Sequence, residues 1–257
     1  MGAIHNLLFS GGRRDPILAA FASSDGGYYL PSPSTCFQDT GATTPCISGD
    51  PVGYLQDLSG KGRHLLQGTS TLRPTLNQDG DGYWYLQFDG VDDLMESATA
   101  SLAIVAPSLL ICCVSKDNES SLGFMAMTAT STVYRRLSNN LSSSRASGNI
   151  RDAVNGNFTA ASASTFFPIT TKYIVHSKQE AETLTVEKNL SYSVSAAATG
   201  FTTGYSIANL AKVSIGTGFT AAAAAGKYYG AIALSGYTGG NNTAIITRLA
   251  QLTGVSV

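Results

Sequence analysis

The residues best placed to do chemistry in this sequence are carboxylates. Phe88–Asp93 reads FDGVDD and follows the aromatic run Tyr83-Trp84-Tyr85. Three of only 17 acidic residues, Asp89, Asp92 and Asp93, thus stand within five positions at the end of a strand-like stretch. Such a group either ligates a cation or builds a turn. Asp89-Gly90 supplies a turn whose glycine tolerates positive φ, and Asp92 or Asp93 can accept backbone N–H groups that the turn leaves unpaired. The preceding NQDGDG matches the first half of an EF-hand loop at Asn77, Asp79, Asp81 and Gly82. The twelfth position, however, is Phe88, so the bidentate glutamate that completes such a loop is missing. The carboxylates are therefore read as a structural turn, with no metal and no cofactor.

Other catalytic arrangements are not supported. His5, His64 and His176 share no motif, and the chain lacks a G-x-S-x-G elbow. Glu180 and Glu182 are close in sequence but would share one strand face without an aromatic subsite around them. Trp84 points to one side of its strand and the two tyrosines to the other. Each aromatic can pack in the core or, with Tyr28 and Tyr29, offer a stacking surface to a sugar ring.

Composition narrows the setting of these residues. Charged residues make up 13% of the 257, about half the usual ~25%, and the deficit is filled by Ser, Thr, Ala, Gly and Asn, a profile of strands and turns. The net charge of −1 leaves no basic stripe, which excludes nucleic acid as a partner. No apolar run approaches the ~20 residues needed to span a bilayer, so no membrane partner is expected. The opening residues MGAIHNLLFSGGRRDP put the arginines after the apolar stretch, which predicts no signal peptide. Asn6 stands where a myristoylation motif requires Ser or Thr. The Asn-x-Ser/Thr matches read as polar loops.

Cys112 and Cys113 lie in the apolar run LLICCV and are read as small core residues. Cys36 and Cys46 bracket FQDTGATTP and can form a disulfide, or remain thiols in a reducing cytoplasm. None of the four has zinc-ligand spacing.

Periodicity gives the elements. Asp15-Pro16 starts a short helix, PILAAFA. A long Gly/Ser/Thr/Pro-rich stretch over 23–51 follows, read as a covering whose Tyr28, Tyr29 and Phe37 fold onto something apolar. From Tyr83 onward, strand-like runs recur at sandwich spacing: YWYLQF, LMES, SLLICCVS, LGFMAMT, TVYRRL, KYIVHSK, ETLTVEKN, AKVSIG and YYGAIALSG. The alanine tract 221–225 is read as a loop. In NNTAIITRLAQLTG the residues Ile245, Ile246, Leu249 and Leu252 mark an amphipathic helix, capped by Asn242 or Thr243 and ended by Gly254.

A resemblance adds to these readings. The segment Asp57, Ser59, Gly60, Gly62, His64, then Arg73-Pro74, then Phe88–Asp93, resembles the N-terminal signature of concanavalin A-like (laminin-G-like) domains of bacteriophage virion proteins. The lead-in GGYYLPSPSTCFQDTGATTP is similar to theirs, departing at Tyr29 and Leu30. The likeness covers about residues 26–97, and AKVSIGTG, YYGAIALSG and RLAQLTGV fit it. It implies an all-β jelly-roll sandwich of two antiparallel sheets over residues 26–257, flanked by the short N-terminal helix and the C-terminal amphipathic helix, with Asp57 joining the turn carboxylates. It further implies a non-enzymatic virion structural protein, a capsid decoration or tail accessory, assembled in the host cytoplasm and displaying a lectin-like domain for a cell-surface glycan. The Glu-x-Asp-x-x-Glu strand of glucanases with this fold is missing. The alternative is a polysaccharide-degrading hydrolase of the same fold.

Residues 1–25 are read as a docking segment. Ile4, Leu7, Leu8 and Phe9 form an apolar cluster with Arg13 and Arg14 at its rim, expected to bury itself on another virion protein or on a second copy in a homo-oligomer.

Overall fold

The computed structural model describes residues 14–98, 102–105, 107–117, 122–129, 136–141, 146–152, 156–161, 170–180, 183–190, 192–197, 206–216, 225–240 and 242–257. Helix α1 (Pro16–Ala20) precedes β1 (Asp25–Tyr29), β2 (Cys36–Phe37), β3 (Tyr54–Leu55), β4 (Leu65–Leu66), β5 (Thr75–Gln78) and β6 (Trp84–Asp89). Then come β7 (Met95–Ser97), β8 (Leu102–Val105), β9 (Ser108–Lys116), β10 (Leu122–Ala129), β11 (Arg136–Leu141), β12 (Ala146–Asp152) and β13 (Gly156–Ala161). The rest is β14 (Tyr173–Glu180), β15 (Thr183–Lys188), β16 (Tyr192–Ala197), β17 (Ser206–Ile215), β18 (Ala225–Ser235) and helix α2 (Asn242–Thr253).

The strands form two antiparallel sheets. One has eight strands in the order β16-β15-β14-β9-β18-β6-β5, with β1 also on β18. The other has ten, ordered β13-β12-β11-β10-β17-β7-β4-β3-β2, with β8 on β17. The chain is a concanavalin A-like jelly-roll sandwich with a short N-terminal and a longer C-terminal helix.

Alternation along β9 shows why there are three layers. Leu110, Cys112 and Val114 enter the core between the sheets with Met125, Met127 and Ile215 from the opposite side. Leu109, Ile111 and Cys113 enter a second core under the helices, with Ile17, Phe21, Ile246 and Leu249. A strand apolar on both faces must be covered on both. Its neighbour β18 also lines both cores, and a register shift between Tyr228 and Gly230 decides which of its later residues face which. Tyr228 faces inward and Tyr229 outward, and past the bulge Ala231 and Ala233 face inward while Ile232 and Leu234 face outward. Without the extra residue every later side chain would change face.

The helices follow the sequence except at the start of α2, where Asn242 and Thr243, expected as caps, are its first two helical residues. Asp15 Oδ1 accepts from the Ile17 N–H at 2.8 Å, and its other oxygen receives Arg248 Nε of α2 at 2.9 Å. Gly254, at φ +73, ends α2 in a Schellman turn closed by Val255 N–H to the Ala250 carbonyl at 3.0 Å. No helix among the described residues is long and apolar enough to cross a membrane.

Several expectations change. The 23–51 covering contains two strands: β1 pairs with β18 from Asp25↔Ser235 to Tyr29↔Ala231, and β2 pairs with β3. The polar strands β12, β13 and β16 had no alternation strong enough to mark them. Of the alanine tract only Ala225 is described, and it opens β18. Cys36 and Cys46 are free thiols.

Candidate functional site

The motif Asp57, Ser59, Gly60, Gly62, His64 forms a knot between the sheets. Asp57 Oδ1 accepts from the backbone N–H of Tyr28 and of Ser59, both at 2.9 Å. Its Oδ2 accepts from Ser59 Oγ at 2.7 Å and the Arg63 N–H at 2.9 Å. The Asp57 N–H donates to His64 Nδ1 at 3.1 Å, so the neutral imidazole carries its proton on Nε2. The His64 ring stacks on Tyr54 with centroids 4.9 Å apart, and Tyr54 meets Phe37 edge-on at 5.6 Å.

That aromatic cluster begins a transverse row on the outer face of the ten-stranded sheet. Phe37 pairs with Tyr54, Tyr54 with Leu66, Leu66 with Glu96, Glu96 with Ser214 and Ser214 with Ala126. Directly opposed residues of antiparallel strands share a face, and the alternate set, Leu55, Leu65, Met95, Ile215 and Met125, lies in the inner core. Phe37, Tyr54 and Leu66 are partly exposed, while Ala126 and Ser214 form a buried floor. Glu96 is ion-paired with Lys212 beside it. The face thus sets an aromatic ramp against a paired carboxylate and ammonium, a combination able to stack on a sugar ring and hydrogen-bond its hydroxyls.

The expected glycan residues do not converge. Tyr29 is fully buried between the sheets, its hydroxyl donating to the Arg63 carbonyl at 2.8 Å. Tyr28, on the opposite face of β1, is buried under the helices. Neither can offer a ring to a ligand, because alternation in a strand covered on both faces buries both neighbours. Trp84 is half-buried and packs on the edge of the inner core. Sequence reasoning did not single out Tyr54, Leu66, Glu96 or Lys212. No local pattern contains them, since the row joins strands distant in sequence.

Two of the three FDGVDD carboxylates, Asp89 and Asp93, hold their own turn. Asp89 Oδ1 accepts from the Val91 N–H at 2.8 Å and the Asp92 N–H at 3.4 Å, and Asp93 Oδ2 accepts from the Asp89 N–H at 2.9 Å. Gly90 has φ +82. One carboxylate oxygen from each of Asp89, Asp92 and Asp93 lies within 4.8 Å of the others, the spacing at which they could hold a cation. Asp79 of the EF-hand-like stretch is engaged elsewhere, accepting from Asp81 and Tyr83 N–H and pairing with Lys172 Nζ at 2.7 Å. Glu180 is exposed and paired with Lys178, whereas Glu182 lies outside the described residues. So do Ile4, Leu7, Leu8, Phe9 and Arg13 of the docking segment; Arg14 is exposed.

No family model and no curated protein sequence matches this chain. Solved structures do. Trypanosoma rangeli sialidase in complex with sialic acid superposes with TM-score 0.57 at 10% identity, over 93% of this chain and 34% of the sialidase. Domain 4 of AbnA, a GH43 extracellular arabinanase from Geobacillus stearothermophilus, in complex with arabinotriose, gives TM-score 0.54 at 10% identity, over 90% of this chain and 99% of that domain. An arabinofuranosidase complexed with arabinofuranosyl-alpha-1,2-xylobiose gives 0.53 at 14%, over 79% and 51%. The chain spans about a third of the sialidase chains it resembles. At such identities the likeness carries the fold, and not the virion setting. It also corrects the expectation that the chain is not an enzyme: this fold occurs in glycoside hydrolase chains, so a missing Glu-x-Asp-x-x-Glu strand is no ground for excluding catalysis.

Two outcomes test these assignments. Asp57→Ala leaves the Tyr28, Ser59 and Arg63 N–H groups without their acceptor, at about 1–3 kcal/mol for each that stays dry. Urea denaturation should therefore show a loss of at least about 3 kcal/mol; a loss near zero would mean water replaces the carboxylate. Burial, against the pull of the Asp89 N–H and aided by the Asp89 and Asp92 carboxylates, pushes Asp93 up from 3.8 to about 6. The native state then holds this proton more tightly than the unfolded chain. The stability it contributes is present below about pH 4 and lost as pH rises through about 6. Asp93→Asn should flatten the fall in urea midpoint across that window, and parallel wild-type and variant curves would refute the assignment.

Proposed function

We propose that this chain is a glycan-binding sandwich displayed on a bacteriophage particle, with the outer face of the ten-stranded sheet as its sugar site. The observation that carries the reading is the single register line Phe37-Tyr54-Leu66-Glu96-Ser214, which sets partly exposed rings beside a charged polar pair. A sugar ring lies on Tyr54 and Phe37, and its hydroxyls reach Glu96, Lys212 and the His64 Nε2–H. Support comes from solved structures that share this fold and are complexes with arabinotriose or sialic acid.

The particle setting rests on the resemblance over residues 26–97. In this reading the chain assembles in the host cytoplasm, joins other virion proteins or further copies of itself, and meets a cell-surface glycan outside the cell. Residues 1–14 form the docking strap. The part that follows is committed to its own chain, with Asp15 bound to Arg248 and Ile17 and Phe21 in the core under the helices.

Screening the purified chain on an oligosaccharide array, with sugar release assayed in parallel, tests the site. Tyr54→Ala should weaken the best ligand by about tenfold, the roughly 1.4 kcal/mol at the upper end of what a stacked ring contributes, with the melting temperature little changed. Binding that survives Tyr54→Ala and Glu96→Gln would move the site elsewhere. Deleting residues 1–14 should leave the melting temperature unchanged and abolish self-association or attachment to particles; an unfolded truncation would assign the strap to the core.

A further inference from the structure

The hairpin behind Phe37 holds two thiols in register. Phe37 bridges Pro45 in antiparallel fashion, with Gln38 N–H to the Thr44 carbonyl at 2.8 Å and Cys46 N–H to the Cys36 carbonyl at 3.0 Å. Cys36 and Cys46 are therefore directly opposed at a hydrogen-bonded position, where Cα atoms stand about 5.5 Å apart, inside the range a disulfide spans. Both are fully buried in the same core, and both are free. The loop between them is already closed by Asp39, which accepts from the N–H groups of Gly41, Thr43 and Thr44 and from Thr43 Oγ1. The strand register needs no shift to oppose the two cysteines. Cys112 and Cys113 differ: as sequence neighbours in β9 they face opposite cores, and their register partners are Val175, Ile174, Ala231 and Gly230.

We propose that Cys36 and Cys46 form an oxidation-dependent cross-link that clips the hairpin carrying Phe37. The oxidant is a small-molecule disulfide such as oxidised glutathione. The thiolate of one cysteine attacks a sulfur of that disulfide, giving a mixed disulfide and one small thiol. The second cysteine's thiolate then attacks the protein sulfur of the mixed disulfide and expels the second small thiol. Two S–H bonds are lost and one S–S bond forms, while the two electrons leave on the reduced small disulfide. Burial pushes both thiols up to about 12, with Cys46 adding to the upward push on Cys36. The thiolates are thus scarce at neutral pH, so the dithiol persists in a reducing cytoplasm and the cross-link accumulates slowly outside it, faster as pH rises.

The experiment uses the full chain, freshly reduced and incubated with oxidised glutathione at mildly alkaline pH, then denatured, alkylated and read by intact mass and peptide mapping. The expected result is the loss of two hydrogens, a cross-linked peptide joining Cys36 to Cys46, and alkylation of Cys112 and Cys113 alone. A melting temperature higher than that of the dithiothreitol-treated sample should accompany it, because the bridge restricts the unfolded chain. Four alkylated thiols, a persistent glutathione adduct on either cysteine, or a bridge through Cys112 or Cys113 would each overturn the proposal. These readouts are independent of whether the Phe37 face binds sugar.

Discussion

The Asp57 carboxylate, 4% exposed, is the contact through which the two sheets are aligned. Through Tyr28 it grips β1, which pairs with β18 of the eight-stranded sheet, and through Ser59 and Arg63 it folds the chain back toward β4 of the ten-stranded one. Gly60 and Gly62, at φ +82 and +72, permit the reversal. A buried carboxylate needs this many donors to offset its lost hydration. The same turn delivers His64 to Tyr54, and the Asp57 N–H holds the imidazole there through Nδ1, so the candidate face inherits its geometry from this knot. Arg63 adds a side-chain pair with Asp25 at the start of β1, which further locks that strand.

A second constraint comes from strands covered on both faces. With β9 and β18 apolar on each side, the helices are a required layer, and a few polar contacts hold them in place. Lys172 gathers several: its ammonium pairs with Asp79, lies 4.3 and 4.6 Å from the Tyr83 and Tyr229 ring centres, and donates to the Thr253 carbonyl at 3.3 Å. One cation thereby joins the β5–β6 turn, the central strand and the end of α2. At the other end of the helical layer, Asp15 and Arg248 tie α1 to α2.

Fold and function separate cleanly here. The sandwich is shared with chains as different as a sialidase and an arabinanase domain, and a fold of that breadth does not choose among binding, hydrolysis and assembly. What can choose is the chemistry of one face. Among the described residues, the outer side of the ten-stranded sheet presents Phe37, Tyr54, Leu66 and the Glu96–Lys212 pair, whereas β9 and β18 of the eight-stranded sheet are covered on their outer side by the helices.

Local patterns determined much of this protein. The Asp15-Pro16 start of α1, the 3.6-residue period and Gly254 stop of α2, the apolar runs of β9, β14 and β18 and the alternation of β15 are all readable from neighbouring residues, because backbone geometry and burial act over a few positions. The turn role of Asp89 and Asp93 was equally local. Burial of Tyr28 and Tyr29 was not, since it depends on β1 finding β18 about 200 residues later and on helices closing over it. The polar strands β12, β13 and β16 were invisible for a related reason: serine, asparagine and alanine carry little intrinsic strand preference, and pairing with neighbours makes them strands. Tertiary structure alone decided the row from Phe37 to Ser214 and the opposition of Cys36 to Cys46 on the hidden side of the same hairpin. A register is a relation between strands, and no single strand encodes it.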